Sequence, residues 1–120
     1  MVYDYGNNAI KDVNVIVDDK NMGKTDVYGR FIMQLDKDEE SHVIRIQKEG
    51  YESVSVTEEM ENQKVFYFKI GDSLYYAELA EKYYDQKEYE KAENAINIAL
   101  SITERKDYLF LKKVITEGKR

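Results

Sequence analysis

The sequence predicts an α+β protein: an N-terminal antiparallel β-sandwich over residues 1–70, then a helical hairpin with a third helix over residues 72–118. Three observations predict it. Apolar residues alternate with polar ones in several short runs of the first part, the mark of half-buried strands. From Asp72 onward the apolar spacing becomes helical. Only Gly71 and Asp72 separate the two patterns, too short a joint for a flexible tether, so the parts are expected to pack as one rigid unit.

The strands follow in order. Val13, Val15 and Val17 share one face of a run, with Asn14 and Ile16 opposite. Phe31, Met33 and Leu35 repeat the pattern, with Arg30 and Gln34 outward. Ile44 and Ile46 alternate with Arg45 and Gln47, and Val54 and Val56 with Ser53, Ser55 and Thr57. Phe66, Phe68 and Ile70 alternate with Tyr67 and Lys69. The breaks between runs are turn-like: Asp18 to Gly23, Asp36 to Ser41, and Lys48-Glu49-Gly50-Tyr51. Roughly six or seven short strands at such spacing read as a sandwich. The sharpest local signal is Gly23-Lys24-Thr25-Asp26-Val27-Tyr28-Gly29-Arg30-Phe31. Gly29 can take a positive φ without a Cβ clash, and the Asp26 carboxylate can bond the turn's own N–H groups.

Three landmarks occur in sequence: the run from Val2-Tyr3-Asp4-Tyr5-Gly6 to Val13-Asn14-Val15, then Thr25-Asp26-x-x-Gly29-x-Phe31, then Gly50-Tyr51 after a strand. Together they resemble a carboxypeptidase regulatory-like domain, a small transthyretin-type β-sandwich, over residues 1–70. The resemblance implies structural roles: Asp26 and Gly29 shape a turn, Phe31 enters the core, Gly50 turns the chain and Tyr51 packs beside the sheet. It also implies a spacer, docking or appended module of a larger bacterial protein, often at the envelope. Asn8-Ala9 replaces the family's proline, and the first strand is short before Val2. That points to a piece of a longer protein or to a trimmed edge.

In the second part, Leu74, Ala77, Leu79-Ala80 and Tyr83-Tyr84 form one apolar stripe. After Asp85-Gln86-Lys87-Glu88 a second runs through Tyr89, Ala92, Ala95-Ile96 and Ala99-Leu100. Asp72 or Ser73 is a natural N-cap, and helices joined by so short a link run nearly antiparallel. Counted from Ser73, Tyr76 falls at the fourth position, Leu79 and Ala80 at the seventh and eighth, and Tyr83 at the eleventh; Tyr89-x-x-Ala92, Ile96 and Ala99 follow. This pattern resembles a tetratricopeptide repeat, whose small residues admit close helix approach while large ones fill the facing gaps. A third helix carries Tyr108, Leu109, Phe110, Leu111, Val114 and Ile115, and reads as the first helix of a next repeat or as a cap. A concave peptide groove takes about three repeats. This part is therefore expected to pack, dock or assemble with copies of itself.

Composition narrows the function. At 42% hydrophobic, 35% charged and net charge -6, the chain is acidic and expected to be soluble. That argues against a general nucleic-acid binder, which needs a basic face. No apolar run approaches the roughly 18 residues of a membrane helix, and Met1-Val2-Tyr3-Asp4 does not look like a signal peptide. Residues 72–104 hold 8 acidic and 3 basic residues, whereas residues 105–120 hold 2 acidic and 6 basic. The last helix is thus a basic strip, either neutralising the preceding hairpin or docking an acidic partner. Cysteine is absent, which excludes disulfides and thiolate metal sites. His42 is the single histidine and is expected at the surface or a strand edge; a metal would have to rely on carboxylates alone. The acidic loop Asp36-Lys37-Asp38-Glu39-Glu40 and the pair Asp18-Asp19 lack the spacing of a calcium loop. No serine–histidine–aspartate set can be assembled around one remote histidine, and no glycine-rich phosphate loop is present.

The expectation is a non-enzymatic protein-interaction or scaffold module with no cofactor, meeting a protein partner or its own copies through the helical segment. Candidate surface residues are Tyr108, Phe110, Leu111 and Ile115, which burial against the second helix explains equally well. The alternative is a carbohydrate- or small-ligand-binding module using Tyr3, Tyr5, Tyr28 and Tyr51. By resemblance the compartment leans to the bacterial envelope, with the cytoplasm left open.

Overall fold

The computed structural model describes residues 1–33, 41–59 and 65–119. It is a mixed α+β chain with two compact units that are not consecutive in sequence. Met1–Lys48 and Ser53–Ile70 form the first; Glu49–Glu52 and Gly71–Arg120 form the second.

The first unit holds the strands β1 (Val2–Tyr3), β2 (Asn14–Val17), β3 (Lys20–Lys24), β4 (Ser41–Gln47), β5 (Val54–Glu59) and β6 (Phe68–Lys69). Four of them make an antiparallel sheet in the order β3-β2-β4-β5, and β1 pairs in parallel with β6. In β2, Val15 and Val17 point inward beside Val13, just before the strand; in β4, His42, Ile44 and Ile46 do. Each fully buried aliphatic side chain contributes about 1.5–3 kcal/mol. Thr25 is buried as well, its hydroxyl donating to the Ile10 carbonyl at 2.7 Å and accepting the Val13 N–H at 3.0 Å.

Two expectations change here. The break after Val17 is only Asp18-Asp19, with φ of 49° and 67°, and Lys20–Lys24 is a strand. Positive φ at both central residues suits the tight two-residue hairpin that matches strand twist, and aspartate tolerates it better than most residues. Over 30–33, by contrast, the alternating run forms no strand; Gln34 and Leu35 lie outside the described residues. Phe31 is half-buried, its ring so close to Gly23 that a Cβ there would sit 2.7 Å from it, while Ile32 is 92% exposed. Alternation reports two unlike faces, and a ring folded onto a glycine satisfies that without a ladder partner.

The second unit holds α1 (Ser73–Asp85), α2 (Tyr89–Ile102) and α3 (Lys106–Gly118). Asp72 caps α1, its Oδ1 accepting the Tyr75 N–H at 2.7 Å. Ala77 and Ala80 meet Ala92, Ala95 and Ala99 in a core closed by Tyr76, Ile96, Tyr108 and Ile115. Small side chains at these positions let α1 and α2 approach closely. Glu49–Glu52 lies with these helices. Gly50, at φ 84°, offers its carbonyl to the Ser73 N–H at 3.2 Å, and Tyr51 bridges Asp72. By its backbone contacts Tyr51 thus groups with the helices.

Candidate interaction surface

On α3 the four residues singled out from sequence separate. Tyr108 and Ile115 are buried, 3% and 0% exposed, and Leu111 packs partly buried against the same core. Phe110 is 68% exposed and its neighbour Leu109 46%. Geometry explains the correction. Positions 108, 111 and 115 follow the three-to-four spacing of one helix face, whereas 110 lies more than half a turn round from 108. That spacing was readable in the sequence and would have removed Tyr108, Leu111 and Ile115 from any shared surface with Phe110.

Polar contacts fix the buried face. The Tyr108 hydroxyl lies 3.3 Å from the Ser73 hydroxyl, and the Arg105 guanidinium sits 4.8 Å over its ring. Arg105 also pairs with Asp107 at 3.0 Å. The exposed face carries Lys106, Leu109, Phe110, Lys113 and Glu117. An outer row of α1 is exposed too: Leu74 at 52%, with Glu78, Glu81, Lys82 and Asp85. Leu74, which the spacing puts in the apolar stripe, stands apart from Tyr76, Ala77 and Ala80, which face the core.

His42 is buried at 4% exposure, against the expected surface or strand-edge position. Its phase was legible: it falls two residues before Ile44 and four before Ile46, on the inward side of β4. The ring's Nδ1 lies 2.5 Å from Asp18 Oδ2, and Asp18 Oδ1 accepts the Val43 N–H at 2.9 Å. The Val43 N–H first, and then His42, hold the Asp18 carboxyl below the usual carboxylate range. Asp26 is lowered in the same way, first by the Arg30 N–H and then by that of Tyr28, at 3.0 and 2.8 Å. Among the described residues no group of three or more His, Cys, Asp or Glu could hold a metal ion. The acidic loop Asp36-Lys37-Asp38-Glu39-Glu40 lies outside them. No helix among the described residues is long and apolar enough to cross a membrane.

Of the tyrosines proposed for a ligand platform, Tyr28 is 62% exposed, with the Arg30 guanidinium 4.7 Å over its ring, and Tyr5 is 44% exposed. Tyr3 and Tyr51 are half-buried, and Tyr51 belongs to the helical unit. An open groove of ≈ 540 Å³ runs along Val54, Val56, Val65, Phe66, Tyr67 and Phe68, with Glu58 and Lys69. Compared with protein-family models, with curated proteins and with solved structures, the chain finds no match.

Proposed function

We propose that this chain is a non-enzymatic protein-interaction or scaffold module acting through its helical unit. The observation that carries the reading is the outward pair Leu109 and Phe110 on a helix whose other large apolar residues are at least partly buried. A lone exposed leucine is ordinary, but an exposed phenylalanine beside it, ringed by lysines, suits a partner surface. The sequence resemblances support the same reading: a tetratricopeptide-type hairpin and a carboxypeptidase regulatory-like sandwich are both docking or spacer elements, frequent in bacterial envelope assemblies.

The test is a photo-crosslinking side chain at position 110 in cells that make the protein. Under this reading it traps a protein chain, of this kind or another, while the same group at the exposed Lys20 of β3 does not. No adduct from position 110 would remove the reading. The exposure of Tyr28 and Tyr5 favours a second reading, carbohydrate or small-ligand binding. A glycan array with no signal that Tyr28→Ala abolishes would discard it.

A further inference from the structure

Two exposed rows on the helical unit have one spacing and the opposite order of charge. On α1, Leu74, Glu78 and Lys82 follow at four-residue intervals; on α3, Leu109, Lys113 and Glu117 do the same. All six are exposed, and none of the four charged groups forms an ion pair within the chain among the described residues. Residues four apart stand one turn above another and form the ridges by which helices interlock. Laid parallel, the rows match term by term: Leu74 meets Leu109, Glu78 meets Lys113, and Lys82 meets Glu117.

With all three positions in register, the same rows oppose pairing with themselves; slid by one turn, an antiparallel pair matches the charges but leaves both leucines without a partner. Two α3 rows set antiparallel bring Lys113 onto Lys113, and two α1 rows bring Glu78 onto Glu78. Set parallel, each row meets its own charges throughout. Short links make α1 and α3 each antiparallel to α2, so α1 and α3 run the same way. A second copy, shifted across the helix axes without being turned over, therefore offers its α1 in the parallel sense that complementarity requires.

We propose that copies of this chain associate head to tail, α3 of one protomer lying against α1 of the next, with Phe110 beside the Leu74–Leu109 contact. This rests on reading the helical unit as an interaction module. A heterologous contact does not close in a pair, so the assembly grows to a ring or an open row. Its ion pairs are solvent-exposed, so the association weakens as salt rises.

Light scattering after size exclusion, over a range of concentration at low and high salt, tests this on the full chain. The expected result is a mass that climbs with concentration at low salt and falls back at high salt. Glu78→Lys or Lys113→Glu alone raises the dissociation constant by about tenfold or more, since each sets like charges face to face. Both exchanges in one chain restore association. Circular dichroism verifies that these exposed substitutions leave the helices intact. A wild-type mass constant at the monomer value would overturn the proposal, as would a Glu78→Lys chain that associates like the wild type. If the wild type stays monomeric while position 110 traps a different protein, the head-to-tail contact falls and the interaction module stands. If position 110 traps nothing and the mass is constant, both fall.

Discussion

Gly29 holds φ 71°, and a Cβ there would lie 2.4 Å from the Val2 carbonyl oxygen, which is backbone and cannot swing aside. Gly29→Ala therefore combines left-handed strain with a displaced β1, and is expected to cost about 2–4 kcal/mol. Urea unfolding measures it, and a loss under about 0.5 kcal/mol would mean that the turn re-forms around the methyl group. Three aspartates whose carboxyls are held below the ordinary value by backbone N–H groups give the chain an acid dependence. Asp4, Asp18 and Asp26 have folded pKa values below the ordinary 3.8, chiefly through the N–H groups of Asn8, Val43 and Arg30 respectively. A depressed folded value means that the stabilisation is fully present above the unfolded pKa and is lost as pH falls through the folded one. The melting temperature should thus hold steady above about pH 5 and fall below about pH 4. Asp18→Asn with Asp26→Asn keeps an acceptor oxygen at each site but removes the titrating charge, so the fall should become shallower. An unchanged acid slope in that double variant would place the dependence elsewhere.

Between α1 and α2 the chain turns through Gln86, Lys87 and Glu88. The Glu88 N–H returns to the Tyr83 carbonyl and the Lys87 N–H to that of Tyr84, both at 2.9 Å. This pair of bonds is the Schellman helix ending, which places its turning residue in the left-handed region. Lys87 occupies that place at φ 63°, exposed and carrying a Cβ where glycine is the usual choice. Lys87→Gly should stabilise the unit by about 0.5–1 kcal/mol, the relief of strain exceeding glycine's greater unfolded entropy. A lower melting temperature in that variant would show that the lysine side chain contributes something the turn geometry does not explain. Elements of this kind were legible to differing depth. The helical period and the alanine spacing announced α1 and α2, because close packing demands small residues at fixed offsets. The β2–β3 turn was overdrawn because Asp18-Asp19 already supplies both positive φ values, leaving Lys20 free to pair with Val17. The expected strand misled over 30–33, its part within the described residues, because alternation does not specify a hydrogen-bonding neighbour. On α3 the fault was different: six apolar positions in one short helix cannot share a side, and only the angular spacing tells the buried from the exposed.

At the scale of the whole chain, the change of period at Asp72 was plain in the sequence, but the membership of Glu49–Glu52 was not. The bonds that carry these residues to the helices span 19 to 24 positions, beyond the reach of any local pattern. Glu52 makes the two at the ends of that range. One carboxylate oxygen accepts the Gly71 N–H at 3.0 Å, the other the Tyr76 hydroxyl at 2.5 Å. The Glu52 N–H returns to the Gly71 carbonyl at 2.9 Å. Tyr76 is a member of the helical core at 7% exposure, with Tyr75 edge-on to it at 5.1 Å, so the carboxylate orients a core ring from outside the helices. Removing it leaves a hydroxyl and an N–H with less to bond, and Glu52→Ala should therefore cost about 1–2 kcal/mol in the melting of helix ellipticity. Glu49→Ala, three residues earlier and exposed, is the control and should change little. Tyr76→Phe keeps the ring and loses the hydroxyl. If the two side chains act as a pair, the double variant loses less than the sum of the single losses. Strict additivity would mean that Glu52 holds Gly71 alone and leaves the ring to the helical core.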